Sequence, residues 1–469
     1  MSRLVIDPIT RIEGHLKVEI QVEDGAITEA RCTGALYRGL EEILRGRHPL
    51  DAQRITTRIC GVCPLAHSTA ASLCLDDALG LSPPRGGQLL RNLIYGANYL
   101  HNHVLHFYHL ALPDYLPAGA LPGALSPGTD EDRRFSQQEA NRLAGHYLEA
   151  LAVRRKAQEL VALFGGKMPH DMAIVPGGVT YRPTLGEVAA FRFRLKEIMG
   201  FIETSYIPDL LLLAERYHDY FGLGQVGKLL AYGCFPLEGE RLFPAGVVLG
   251  GELVPFDPGE IREGFAHSWY SGDGPQPPWA EEAPPAPDKA GGYSWIKAPR
   301  YRGEPCEVGP AARAAVGLRA GTPEFRELAQ DILREADVPP DALSSAMGRH
   351  LARGMETLFI ARAMESWLSQ LDLSAPVATE YRIPQEGRGQ GLAEAPRGAV
   401  GHWIEIKGRV IAHYQVIAPT TWNASPRDEA GKPGPIEQAL AGTPVSGDGV
   451  LEAGRIVRSF DPCLACAIQ

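Results

Sequence analysis

No run of about 18 apolar residues occurs anywhere in this 469-residue chain, so it carries no candidate membrane-spanning helix. The opening stretch, MSRLVIDPITRIEGH, lacks the basic-then-apolar pattern of a secretory leader, which predicts a cytoplasmic start. Clustered Lys and Arg are also missing. The 46 basic residues are outweighed by 56 acidic ones, and a net charge of −10 excludes the basic footprint of a nucleic-acid binder. Cysteine is scarce and uneven, at positions 32, 60, 63, 74, 234, 306, 463 and 466, which excludes a disulfide-stapled scaffold. Internal repeats and low-complexity tracts are absent too. What is there is a chain 45% hydrophobic, long enough to bury a large core.

Hydrophobic periodicity sketches the fold. Leu16 to Glu23 alternates apolar and polar residues, Asp24-Gly25 follows, and a second alternating run then predicts an N-terminal β-hairpin. Long helices are expected over Gln88–Leu112, Arg133–Phe164, Leu185–Phe221 and Thr322–Leu371. Phe235 to Pro310 is dense in Gly, Pro and Trp and reads as an irregular β-containing excursion. Val400 to Val416 alternates again and breaks at Lys407-Gly408, a second hairpin. The expected fold is mainly α with small β elements (α+β): a long-helix core in a single domain, 1–469. Its sub-regions are 1–80, 81–234, 235–310 and 311–469.

Four cysteines form two tight pairs, Cys60-Gly-Val-Cys63 and Cys463-Leu-Ala-Cys466, 403 residues apart. Two residues between thiols let both sulfurs face one point, the common spacing for a metal. Four thiolates suit tetrahedral zinc and also softer transition metals. A redox disulfide fits less well, because neither pair sits in a βαβ context. Cys32, Cys74, Cys234 and Cys306 read as buried apolar thiols.

The segments RICGVCPLAH (58–67) and DPCLAC (461–466) resemble the two nickel-binding signatures of [NiFe]-hydrogenase large subunits. RIEGH (11–15), RGLE (38–41), HFYH (106–109), PGGVT (176–180), APRG (395–398) and PTTWN (419–423) also resemble family segments, in family order and end to end. The resemblance implies reversible heterolytic cleavage of H2 at a nickel–iron site. Cys60 and Cys463 would bind nickel alone; Cys63 and Cys466 would bridge it to an iron carrying CO and two cyanides. The first proton acceptor would be Cys463 sulfur, with Arg397 a rival, and Glu13 would pass the proton outward. Arg397 and Thr420 would hydrogen-bond the cyanides, Asp461 would pair with Arg397, and His67 would hydrogen-bond a bridging thiolate. Alone, Glu13 is a turn cap and His67 a core histidine. His103, His106 and His109 have a spacing that imitates a metal site, but packing against core or partner is the favoured reading.

Two positions depart from the family pattern. Gln469 stands where relatives end in a histidine that, with Glu41 and a backbone carbonyl near Val416, binds magnesium or a further iron. Gln offers an amide oxygen, which suits magnesium better. Asn102 replaces an aspartate of several relatives. No cysteine spacing remains for iron–sulfur clusters, so these would sit in a partner small subunit. The chain is short beside many membrane-bound relatives, and this favours a cytoplasmic assembly passing electrons to NAD or ferredoxin; a periplasmic or membrane-associated complex, exported with the small subunit, is the alternative. Large subunits of the family are usually made with a C-terminal extension that a maturation protease removes; either this sequence is the mature form or its precursor lacks the extension. Three other readings are a hydrogen-sensing regulatory subunit, a structural zinc protein, and a quinone-binding respiratory relative, against which the intact cysteine pairs count because such relatives have lost them.

Overall fold

The computed structural model describes residues 2–121, 132–272, 274–281, 283–447 and 449–468. Asp24 and Gly25 both have positive φ (50° and 76°), the pair of conformations a tight two-residue hairpin turn requires. They join β2 (Leu16–Glu23) to β3 (Ala26–Gly34), and Leu16, Val18 and Ile20 face the core as the alternation demands. A third strand, β1 (Ser2–Ile6), pairs antiparallel with β2. The sequence did not announce it because neither of its faces is fully buried.

Helix α1 (Pro64–Ala78) starts at a proline directly after Cys63, where a missing N–H costs nothing. Helix α2 (Arg85–Val104) is buried from Leu89 onward and includes Arg91, Asn92, Asn98, His101, Asn102 and His103. It runs into a π-helical turn, Leu105–Ala111, so the expected helix to Leu112 changes its hydrogen-bond pattern at the HFYH stretch. Capping boxes built by Ser136 with Glu139 and Thr184 with Glu187 start α3 (Gln137–Gly165) and α4 (Leu185–Phe201). Beyond α4 the chain stays helical to Arg216 through a π-turn at Ile202–Tyr206. Helices α5 (Pro310–Ala320), α6 (Ala346–Ser369) and α7 (Val450–Ser459) follow, and a further helix, Pro323–Glu335, precedes α6, so the expected helical run 322–371 is two helices parted by a turn at Pro340–Ser344.

The Gly/Pro-rich excursion contains short strands. Leu229–Ala231, Gly246–Leu249 and Glu252–Val254 form one sheet, and Ile261–Gly264 pairs with Ala298–Tyr301. Farther on, the expected second hairpin is two strands of three: β4 (Glu386–Ala395), β5 (Gly398–Lys407) and β6 (Val410–Ile417). β4 was hidden by its GRGQG sequence, since glycine weakens a strand pattern. Its glycines have a packing reason. A Cβ at Gly391 would lie 1.9 Å from the Ala70 carbonyl oxygen, and one at Gly389 would lie 2.3 Å from Ala78 N. Only glycine lets α1 lie this close to the sheet, and α1 carries the first cysteine pair at its start.

Gly391→Val is expected to lower stability by about 1–3 kcal/mol or more through overpacking. It should also lower the metal content of the purified complex, read by denaturant titration and metal analysis. Gly61→Ala, which meets nothing within 4 Å, should leave the fold's stability near wild type.

Candidate metal centre

Cys60 ends a short 3-10 turn (Thr57–Ile59), Cys63 sits immediately before α1, and Cys463 opens the last turn, Leu464–Ala467. These local structures aim all four sulfurs at one point. Cys60 and Cys463 Sγ are 3.4 Å apart, Cys63 and Cys466 Sγ 3.5 Å, and Cys463 and Cys466 Sγ 2.9 Å. All four lie within 4.8 Å of one another and are buried. It is the only such cluster of metal-ligating side chains among the described residues. The thiols differ. Hydrogen bonds from Cys463, Cys466 and Cys63 hold the Cys60 thiol well below its ordinary value, whereas burial pushes Cys463 and Cys466 well above theirs. Four buried sulfurs in mutual contact are a donor set that a soft cation fits, taking the place of their protons.

The N-terminal RIEGH stretch closes over the C-terminal pair. Glu13 N–H donates to the Pro462 carbonyl at 3.3 Å, and Leu464 N–H donates to the Glu13 carbonyl at 2.9 Å. Gly14 (φ +78°) permits this contact, since a Cβ there would meet Leu464 Cβ at 2.8 Å. The Glu13 carboxylate accepts from Cys463 Sγ at 3.1 Å and from Ala465 N–H at 3.0 Å. Burial, reinforced by the neighbouring Cys60 charge, raises its pKa above the ordinary carboxylate value.

Arg397 occupies the turn between β4 and β5. Its guanidinium donates to Asn102 Oδ1 at 2.9 Å and lies 3.1 Å from Asp461 Oδ1, with all three side chains buried. Burial opposes its charge, but Asp461, Cys463 and Cys63 outweigh that and raise its pKa well above the ordinary value. Asp461 itself has positive φ (57°), an unusual backbone for a non-glycine residue, and it reverses the chain just before the cysteine pair. Thr420 Oγ1 accepts from Cys463 N–H at 2.9 Å. His67 is one helical turn beyond Cys63, and its Nδ1 lies 3.1 Å from His402 Nε2.

The comparisons with known proteins fall on this geometry. The family profile described as nickel-dependent hydrogenase matches residues 38–124 and 125–469, and a HoxL-like profile matches residues 3–33. The chain belongs to the nickel-dependent hydrogenase family. It is 42% identical over 494 residues to the periplasmic [NiFeSe] hydrogenase large subunit of Desulfomicrobium baculatum, covering 100% of this chain and 95% of that one. The uptake hydrogenase large subunit of Bradyrhizobium diazoefficiens is 35% identical, with 99% of this chain and 95% of that one covered. The solved reduced, active Ni-Fe-Se hydrogenase of Desulfomicrobium baculatum superposes with a TM-score of 0.95 at 41% identity and complete coverage of both chains. The protein is thus a hydrogenase large subunit, an oxidoreductase acting on H2, and works with a small-subunit partner.

The comparisons correct the expected compartment. The cytoplasmic reading rested on chain length and on the N-terminal residues. A relative named as periplasmic is matched over 95% of its own length, so shortness does not mark a cytoplasmic hydrogenase. The expectation of NAD or ferredoxin as acceptor used the same ground and loses that support.

The remaining expected residues are placed unevenly. His103 pairs with Glu356 at 2.5 Å, His106 contacts the Arg458 carbonyl at 2.6 Å, and His109 the Tyr147 carbonyl at 3.2 Å. Their partners diverge, so they pack the core and do not form a second metal cluster. Glu41 is buried, with Oε2 paired to Lys297 at 2.7 Å and Oε1 accepting from Val416 N–H at 2.9 Å. Gln469 lies outside the described residues. Lys297, Glu263 and Gln415 surround Glu41 and were not singled out from the sequence; Glu263 Oε1 is buried without a partner. Burial, with the nearby Glu41 charge, pushes Glu263 up to about 7.

Arg38 was also missed, although it stands in RGLE. Its guanidinium donates to the carbonyls of Arg58, Ile59 and Ala465, tying both cysteine loops together. Hydrogen bonds from a charged donor contribute about 1.5–3 kcal/mol each. Arg38→Gln is therefore expected to raise the opening of Leu464–Ala467 on the order of tenfold or more, measured as faster amide hydrogen exchange in the purified complex.

Proposed function

We propose that Cys60 and Cys463 bind nickel alone, and that Cys63 and Cys466 share it with an iron carrying one CO and two cyanides. The observation that carries this reading is the convergence of the two pairs within 4.8 Å, in a donor set that is entirely cysteine sulfur although several relatives are named for selenium. When bound, the metals would supply the open position at which H2 is split heterolytically, yielding in all two protons and two electrons. The chain's own groups handle the proton. Cys463 Sγ is the first acceptor, and Glu13, 3.1 Å away with its pKa raised by burial, takes the proton and releases it outward.

Arg397 and Thr420 hold the cyanides. Arg397 Nε is buried without a hydrogen-bond acceptor, and the Thr420 oxygen already accepts from Cys463 N–H, which frees its proton to donate. Asp461 keeps Arg397 in place. His67 donates to a bridging thiolate. Glu41 and a backbone carbonyl at Val416 would hold magnesium in preference to iron, with the Gln469 amide oxygen the further ligand that the resemblance implies, because all three offer oxygen. The electron pair leaves through iron–sulfur clusters of the small subunit, and a maturation protease acts on the tail before it folds under Glu13.

The infrared spectrum of the anaerobically purified complex tests the iron reading. One CO band with two cyanide bands is expected, and Cys63→Ser should abolish all three. Zinc in the site with no such bands contradicts it. Glu13→Gln should keep the bands while lowering H2 oxidation on the order of 10²–10⁴-fold. The limb of the pH–rate profile that Glu13 sets, above the ordinary carboxylate range, should then vanish.

A further inference from the structure

His67 belongs to a chain of three buried side chains that ends away from the metal centre. Its Nδ1 lies 3.1 Å from His402 Nε2, in β5, and His402 Nδ1 lies 2.8 Å from Tyr414 Oη, in β6. Exposures are 1%, 0% and 2% for His67, His402 and Tyr414, so no solvent reaches any link. Tyr414 Oη has no other polar partner among the described residues, and no carboxylate touches either ring. Cys63 is the residue immediately before α1 and His67 lies in its first turn, so the ring stands one turn from that ligand. With Nδ1 engaged by His402, Nε2 is the ring nitrogen left for the sulfurs.

A neutral imidazole has one N–H and one acceptor nitrogen, so the chain can run in only two directions. In one, the Tyr414 hydroxyl donates to His402 Nδ1, His402 Nε2–H donates to His67 Nδ1, and His67 carries its proton on Nε2. In the other, His67 donates to His402 and His402 donates to Tyr414. That direction points a bare nitrogen lone pair at the sulfur cluster and leaves a buried phenol proton without an acceptor. Both defects are costly in a dry interior. The first direction uses every proton.

We propose that Tyr414 and His402 are positioning residues that fix the tautomer of His67, so that its Nε2–H faces a bridging cysteine sulfur and draws charge from it. This rests on the reading of an iron with bound CO. A hydrogen bond to a thiolate makes it a poorer electron donor, as groups behind metal ligands commonly tune them. The iron then returns less charge to CO, and the CO band stands at higher wavenumber.

The test is the infrared spectrum of complexes carrying Tyr414→Phe, His402→Leu and His402→Gln. Tyr414→Phe preserves shape and removes only the directing hydroxyl; His402→Gln retains an N–H for His67 Nδ1. The CO and cyanide bands should move to lower wavenumber in Tyr414→Phe and His402→Leu and stay close to wild type in His402→Gln. Unmoved bands in Tyr414→Phe overturn the proposal, as does an equal shift in the two His402 variants. Should His402→Leu fail to assemble, Tyr414→Phe decides alone. Absence of the bands from the wild-type complex fails the iron reading and this inference with it, an outcome distinct from bands that are present and unmoved.

Discussion

Four sulfurs buried at one point, drawn from sites 403 residues apart in sequence, are the constraint on which this structure depends. Burying that much potential negative charge is unfavourable unless opposite charge and hydrogen bonds meet it. A metal supplies most of the compensation and couples its own binding to closure of the site. The protein adds the rest through the N–H groups of Val62 and Cys63, which lie 3.3 and 3.4 Å from Cys60 Sγ, and through buried Arg397. Closure then depends on contacts between chain termini. The Glu13 backbone pairs with Pro462 and Leu464, and Arg38 joins the first cysteine loop to the second.

Behind the site the core is held by ion pairs as well as apolar packing. Arg313 bridges Glu356 and Glu394, Arg349 pairs with Glu307, and Asp114 receives both Arg11 and Arg458. The Asp114 contact joins the RIEGH stretch to α7, the two segments that lead into Glu13 and Cys463. Such pairs are weak evidence of net stability, but losing one partner strands a buried charge, which costs about 3–5 kcal/mol. They therefore oppose partial opening of the frame that fixes the metal ligands.

What the sequence revealed divides along the range of the interactions. The cysteine pairs were legible because their spacing is local, and β2–β3 because its turn residues and alternation are local. Glu13, Arg397 and Thr420 came only through motif resemblance, since their neighbours are set by tertiary contact. Arg38 and His402 were not identified for the same reason: nothing in RGLE says that its arginine will find three carbonyls, and nothing in GHW says that its histidine will meet His67. β4 was obscured because the glycines that seat α1 remove its strand signature. The compartment was misread because chain length and terminal residues were taken for a marker they are not.

The central claim is that these four cysteines hold nickel beside iron. X-ray absorption at the nickel edge of the complex, made on the holoenzyme without substitution, tests it most directly. The account predicts nickel surrounded by sulfur from four thiolates, with an iron neighbour in the second shell of scattering atoms. Nickel bound mainly by nitrogen or oxygen, or zinc in place of nickel, would contradict it.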